Sequence, residues 1–202
     1  MRAATLLTCL FVFYATAIFA AEAIDMDEKL ALEDTLSNVM TTNSNADDII
    51  IAAPKTATAA GEIIERALWL AKWNNEWRVK EDSDKENDGS LIYPLKIRKN
   101  LVDEAICRYF GFDAAEYPLL SGAGRDDFDG QFYRLGAGDG GMTARILKTR
   151  VLENGALKVK GEYVFNTGGE GEFTAFFVPS ECGGYKHWGL RKIVYDNFPE
   201  EN

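Results

Sequence analysis

The hydrophobic pattern of this 202-residue chain changes its period near residue 130, and this change constrains the fold more than any other feature. Before that point, apolar residues recur every three or four positions, as on one face of an α-helix. After it, apolar and polar residues alternate, as in a β-strand with one buried face. Helices followed by a run of strands predict an α+β domain, with N-terminal helices packed on one face of a curved antiparallel sheet. We expect about five strands.

The strands are predicted between residues 130 and 196, in five segments separated by short turns. These segments are GQFYRL, MTARILKTRVL, ALKVKGEYVF, FTAFFVP and YKHWGLRKIVYD. Asn154-Gly155 joins the second to the third, and this dipeptide is the strongest short-range signal for a β-hairpin. Because the turns are short, consecutive strands should be neighbours in the sheet. The face that carries lysine and glutamate side chains should contact water or a partner.

Two helices are predicted, at 56–79 and 98–110. The first carries an aliphatic stripe, is capped by Thr56 or Thr58, and ends in the acidic run EDSDKENDGS. The second should end at Gly111, because glycine readily adopts the left-handed conformation that stops a helix.

Three of the four tryptophans, Trp69, Trp73 and Trp77, lie four residues apart in the first predicted helix. On a helical wheel they form a second stripe beside the aliphatic one. We therefore expect this helix to lie between the sheet and another segment. The alternative is an exposed aromatic surface that binds a partner, and burial of Trp69 would argue against it. Arg66 lies between the tryptophans on the wheel and is expected to stack on a ring.

The first residues of the chain predict export. Residues 1–23 contain one early cation, an apolar run and small residues, the layout of a cleaved signal peptide. Retention as a membrane anchor is the alternative, and no transmembrane segment is expected after removal. Residues 24–55 should form a helical and flexible N-terminal segment, in which IIIAAP fits either a short strand or the start of a helix. Residues 56–202 should form a single α+β domain. We expect a periplasmic or secreted protein, and the absence of an Asn-x-Ser/Thr site favours a bacterial source.

Two cysteines, Cys107 and Cys182, remain after such processing. In an exported protein an even pair predicts a disulfide. Two separate buried thiols are the alternative. A catalytic Cys–His pair is disfavoured, because the only histidine, His187, is five residues from Cys182, and this spacing fits no known triad.

The net charge of −10 argues against a nucleic-acid partner, because an acidic protein repels phosphate backbones. Asp126, Asp127 and Asp129 lie close together and could hold calcium or act as acids and bases; an ordinary exposed loop is favoured. The run EDSDKENDGS resembles a calcium loop, but Leu95 occupies the position that requires glutamate. The segments LGAGDGG and NTGGEGE lack the spacing of a phosphate-binding loop. We expect no metal and no cofactor.

The last strand carries the remaining candidate contact residues, His187, Arg191 and Tyr195. Strict alternation would place Tyr185, His187, Arg191, Ile193 and Tyr195 on one side, and Trp188, Leu190 and Val194 on the other. Arginine offers a planar fork of donors and histidine a switchable one, so this side could bind an anion. The favoured alternative is an ordinary outer face with cross-strand pairs.

The order of these segments resembles the cystatin-like and NTF2-like class of folds. The resemblance depends on LVDEAICRYFGFD followed by FYRL, on the hairpin at Asn154-Gly155, and on the final strand with Trp188 and LRKIVYD. It extends over residues 98–196. The chain is also similar to small modules of exported bacterial proteins in which a helix ending in YFG precedes such a sheet. The resemblance implies helices packed on a curved sheet, and no particular activity, because such folds host enzymes, carriers and interaction modules.

We therefore expect a non-catalytic exported module that binds a protein or a small ligand. The alternative is an NTF2-like pocket protein. That protein would be either a small-ligand carrier or an enzyme that uses His187 and Arg191 or the cluster from Asp126 to Asp129.

Overall fold

The computed structural model of the chain describes residues 24–42, 47–136, 141–166 and 168–196. The predicted signal peptide lies outside the described residues. The helices are α1 (Met26–Thr41), α2 (Ala57–Asn74), α3 (Glu76–Asp82) and α4 (Lys99–Ala105). The strands are β1 (Ile49–Ile50), β2 (Leu95–Arg98), β3 (Phe132–Leu135), β4 (Met142–Val151), β5 (Leu157–Phe165), β6 (Glu170–Cys182) and β7 (Tyr185–Tyr195).

Five strands form one antiparallel sheet in the order β1-β7-β6-β5-β4, which confirms the predicted α+β fold. The Asn154-Gly155 turn joins β4 to β5, with Gly155 at a φ of 80°. Buried side chains of β5, among them Val159 and Tyr163, share one core with the helices. Lys160 and Glu162 lie exposed on the opposite face, as the alternation predicted.

The first predicted strand is not part of this sheet. β3 pairs with β2 in a separate two-stranded sheet, with Leu95 opposite Leu135 and Ile97 opposite Tyr133. Strand β2 was not predicted, because its four residues directly precede a helix. The main sheet nevertheless has five strands, because β1, which lies within IIIAAP, pairs with β7 and takes the place of the first predicted strand.

The helix predicted at 56–79 is two helices, α2 and α3, separated at Asn75. The side chains of Asn74 and Asn75 donate to the carbonyl oxygens of Leu70 and Ala71, at 2.7 and 3.2 Å. Thr56 caps the start of α2, with its Oγ1 accepting from the backbone N–H of Ala59. Among the described residues, no helix combines the length and apolar content needed to cross a membrane.

The helix predicted at 98–110 is α4 followed by one π-helical turn, Ile106–Phe110. Gly111 ends this turn at a φ of 64°, as predicted. π-helical turns are rare and frequently occur at functional sites. This one carries Cys107 and Arg108.

Helix α1 packs along β4, at the edge of the main sheet. Three polar side chains spaced one turn apart on α1 accept hydrogen bonds from alternate backbone N–H groups of β4. The pairs are Thr41 with Met142 (2.9 Å), Ser37 with Ala144 (2.9 Å) and Glu33 with Ile146 (2.7 Å). These side chains thus satisfy backbone donors that would otherwise lack strand partners.

Two β-bulges interrupt the strand alternation. Leu147 is an extra residue on β4, and Arg191 is an extra residue on β7. Each bulge shifts the following residues to the other face. The predicted sides of β7 are therefore wrong beyond Arg191: Ile193 is buried with Leu190 in the core instead of facing away from it.

Candidate functional site

The disulfide between Cys107 and Cys182 is present, as predicted, with the two Cα atoms 5.6 Å apart. It joins the π-helical turn to the end of β6. An open depression surrounds the two cysteines.

This depression is a groove of about 710 Å³, which we call the disulfide groove. Its walls come from α4 and the π-helical turn, from the loop after Phe112, and from the turn between β6 and β7. They are lined by Asp103, Glu104, Cys107, Arg108, Asp113, Ala114, Ala115, Cys182, Gly183 and His187. Of the sequence-predicted contact residues, His187 is the one that lies here.

A second hollow, of about 250 Å³, adjoins the groove between α1 and β7. It is lined by Glu28, Ala31, Leu32, Asp34, Thr35, Arg108, Tyr109, Lys186, His187 and Trp188. Arg108 and His187 line both spaces, so they stand where the two meet. The indole N–H of Trp188 donates to the carboxylate of Glu28 and thereby fixes one wall.

The groove carries more carboxylates than cations. Asp103 is neutralised by Lys99, whose Nζ lies 2.6 and 2.8 Å from its two oxygens. Within the described residues, Glu104 forms no ion pair, and Asp113 accepts only the backbone N–H of Ala115, at 2.9 Å. Both carboxylates therefore retain free acceptor positions.

The cation of the groove lies against an aromatic ring. The guanidinium carbon of Arg108 is 5.4 Å from the centre of the Tyr109 ring. Burial raises the pKa of Tyr109 above its ordinary value. Arg108 is exposed and can reach a ligand in either space.

Arg191 and Tyr195 do not line either space. The guanidinium of Arg191 donates to the carbonyl oxygens of Phe110 and Leu190 and lies over the ring of Phe112, at 4.8 Å. Burial lowers the pKa of Arg191. Tyr195 packs edge-on against Tyr163, with the ring centres 5.5 Å apart. The structure therefore separates the two from His187.

The tryptophans do not form one continuous stripe. The rings of Trp69 and Trp73 are 5.4 Å apart, and Trp69 is half-buried against the core. Trp77 lies on α3, beyond the helix break, and is 64% exposed. Lys72, and not Arg66, lies over Trp69, with Nζ 4.6 Å from the ring centre.

Arg66 instead reaches α1. Its guanidinium donates to the hydroxyl of Thr42 at 2.6 Å. The expected stacking of Arg66 on a tryptophan ring is thus replaced by a contact that holds the C-terminal end of α1 against α2.

Two of the three aspartates in the DDFDG loop, Asp127 and Asp129, have partners close by in the chain. Arg125 forms two hydrogen bonds with Asp127, at 2.6 and 2.7 Å, which hold the pKa of that carboxyl below its usual range. Asp129 accepts the backbone N–H groups of Gln131 and Phe132. Asp126 is exposed. In the part of the chain that the structure describes, no group of three or more His, Cys, Asp or Glu side chains could hold a metal ion.

Sequence reasoning missed Glu104, Arg108 and Asp113. Periodicity identifies the face of a helix that meets the core. Glu104 lies on the other side of α4, Arg108 is exposed on the π-helical turn, and Asp113 lies in the loop after it. Their proximity to Cys107 was the available signal: once the disulfide is assumed, residues one turn from Cys107 must lie near the turn that follows Cys182.

No family model, curated protein or solved structure matches the chain. The NTF2-like resemblance therefore stays a hypothesis, and the candidate site depends on its own geometry.

Proposed function

We propose that this chain is an exported, non-catalytic binding module whose disulfide groove holds a cationic ligand, either a small amine or a short basic peptide segment. The observation that carries this proposal is the excess of carboxylates in a concave space of about 710 Å³. That volume lies within the range of ligand sites, roughly 300–1,000 Å³.

Two unneutralised carboxylates define the chemistry of the ligand. Glu104 and Asp113 line the groove, and the described residues provide no ion pair for either. An ammonium or guanidinium group donates charge-assisted hydrogen bonds to such oxygens. The apolar parts of the ligand would pack on Ala114, Ala115 and the disulfide.

The state of the cysteines supports a binding role over catalysis. Cys107 and Cys182 are joined to each other, so neither can provide the thiolate that His187 would activate. The disulfide also supports export, because such bonds persist in oxidising compartments.

The groove is tested by isothermal titration calorimetry of the oxidised protein with spermidine and with a tetralysine peptide. We expect both to bind, and a tetraglutamate peptide not to bind. The double variant Glu104→Gln/Asp113→Asn should weaken binding by about tenfold or more, because each lost charge-assisted hydrogen bond contributes about 1.5–3 kcal/mol.

The matched control is Glu86→Gln/Glu153→Gln, which makes the same change of net charge at exposed positions outside the groove. The control should bind as the unmodified protein does. Failure of both cationic probes to bind, or equal weakening in the two double variants, would overturn the proposal.

Export is tested separately, by mass spectrometry of the protein recovered from its source. A chain that starts after Ala20 or Ala23 is expected. A chain that retains residues 1–23 would contradict cleavage.

A further inference from the structure

Two pairs of like charges face each other on the outer side of the β4–β5 hairpin. Lys148 lies directly opposite Lys160, and Arg150 directly opposite Lys158. Side chains in such positions have Cβ atoms about 5 Å apart, and like charges there destabilise a sheet. On the same hairpin, Arg145 faces Glu162, the pairing of opposite signs that ordinary exposed strands favour. The two like-charge pairs therefore need an explanation beyond strand stability.

The bulge at Leu147 creates these pairs. Without the extra residue, the register that places Ile146 opposite Gly161 would continue with Leu147 opposite Lys160. Lys148 would then face the core beside Val159. The bulge turns Lys148 and Arg150 outward, and it leaves Leu147 55% exposed beside them.

We call Lys148, Arg150, Lys158 and Lys160 the basic face. Among the described residues, no carboxylate lies within 4 Å of any of the four. Lys192 gives a contrast on the same side of the sheet. It lies on β7 opposite Phe176 of β6, which in turn lies opposite Lys158, and its Nζ is 3.0 Å from a carboxylate oxygen of Asp48. In a chain with a net charge of −10, four neighbouring cations that have no carboxylate partner among the described residues are a concentrated exception. Of the four, Lys158 also lies over the ring of Phe176, with Nζ 5.6 Å from its centre.

We propose that the basic face docks on a membrane surface through anionic phospholipid headgroups. The four cations stand on the pleated outer face of two adjacent strands, so they meet a broad surface more readily than a single small anion. Their charge complements that of anionic headgroups, and exposed Leu147 can enter the headgroup layer beside them. The acidic remainder of the chain would be repelled by the same surface, which orients the protein with this face toward the lipid. This surface is separate from the disulfide groove.

Vesicle cosedimentation tests the proposal. The probe is a vesicle of phosphatidylcholine in which one quarter of the lipid is phosphatidylglycerol, at about 0.05 M and about 0.5 M NaCl. We expect binding at the lower salt concentration, loss of binding at the higher one, and none to pure phosphatidylcholine. The variant Lys158→Glu/Lys160→Glu should lose binding by about tenfold or more. The control Lys55→Glu/Lys85→Glu makes the same change of net charge at exposed positions elsewhere. It should bind the vesicles about tenfold or more tightly than the face variant does.

The face variant should not lose stability, because it converts both like-charge pairs into opposite-charge pairs. Its Tm should equal or exceed that of the unmodified protein by about 1–3 °C, so lost binding cannot be attributed to unfolding. The proposal is overturned if the unmodified protein does not bind anionic vesicles at low salt, or if the face variant and the control variant bind them with the same affinity. Binding to soluble polyphosphate without binding to vesicles would also overturn it, in favour of a linear polyanion.

Discussion

The backbone N–H of Ala144 donates a hydrogen bond of 2.9 Å to the hydroxyl of Ser37. The same hydroxyl donates to the carbonyl oxygen of Glu33 one turn earlier on α1, at 2.7 Å. Ser37 thus connects a helix to the edge strand of the sheet, and a side chain without a hydroxyl would leave the N–H of Ala144 without its acceptor.

We expect Ser37→Ala to lower the free energy of unfolding by about 1–2 kcal/mol, because it leaves a partly buried donor unsatisfied. Urea denaturation measures the change, and hydrogen exchange should show faster exchange at the Ala144 amide. Asn38→Ala, the next position on the helix, is the control. Equal stability of the two variants would show that this contact contributes little.

Loss of the disulfide should lower stability by about 4.5 kcal/mol, the value that chain entropy gives for a closed loop of this length. The two cysteines are 75 residues apart. The measurement is urea denaturation of the protein with and without reductant, beside Cys107→Ala/Cys182→Ala, which reductant should not affect. Two alkylatable thiols in the protein isolated without reductant would contradict the bond.

Tyr133→Phe should leave stability at neutral pH unchanged or slightly higher. The hydroxyl of Tyr133 is buried and has no hydrogen-bond partner in the described part of the chain, while its ring stacks on Phe128 at 4.3 Å and would stay there as phenylalanine. Thermal unfolding at pH 7 tests this, with the exposed Tyr93→Phe as control. A loss above about 1 kcal/mol would indicate a hidden partner.

The same variant should alter the alkaline limit of stability. Burial raises the pKa of Tyr133 to about 12, above the ordinary value of about 10. The buried phenolate is disfavoured, so stability is unaffected below the unfolded pKa and falls as pH rises from that value towards the folded one. Tyr133→Phe should remove this alkaline loss. Absorbance titration should show a late phenolate step near pH 12 that Tyr133→Phe removes. Retention of that step would assign it to another tyrosine.

Asp127→Asn should destabilise the protein near neutral pH and have a diminishing effect in acid. The hydrogen bonds from Arg125 hold the pKa of Asp127 below its usual range. This contribution is therefore present above the unfolded pKa, about 3.9, and is lost as pH falls through the lower folded value. Urea denaturation across this range, with Asp126→Asn as control, gives the result. A difference that stays constant with pH would exclude ionic pairing.

Substitution of Trp69 and of Trp77 should have different effects on stability, because Trp69 packs against the core and Trp77 is exposed. Trp69→Ala should lower the free energy of unfolding by about 2 kcal/mol, because Trp69 packs against the core. Trp77→Ala should change it by no more than about 0.5 kcal/mol, because Trp77 is mostly exposed. Urea denaturation measures both. A neutral Trp69→Ala would favour the partner-binding hypothesis for that residue.

Much of the fold followed from local signals in the sequence. The change of hydrophobic period located strands β3 to β7 after the helices, Asn154-Gly155 located the hairpin, and Gly111 located the end of a helix. Each of these is decided by residues within a few positions of one another. The disulfide was also predictable, because an even pair of cysteines after a predicted signal peptide suggests one.

The errors in the predicted fold and site depend on contacts between distant residues. Nothing local in ILKTRVL or LRKIVYD marks Leu147 or Arg191 as bulged, because the pairing strand decides which residue is extra. The partner of β3 depends on β2, some 35 positions upstream. The groove combines α4, a loop and the end of β6, so of its charged and titratable residues only His187 was identified beforehand.

Helix α1 and strand β1 also determine how the sheet meets other chains. One margin, β4, has alternate backbone donors occupied by Thr41, Ser37 and Glu33, and the other margin is the two-residue β1. A foreign strand thus finds little backbone at which to add itself, and such strand addition is the common route to domain swapping and fibre formation. The three side chains on α1 thus protect this margin from strand addition, and conditions that detach α1 would expose an aggregation-prone edge.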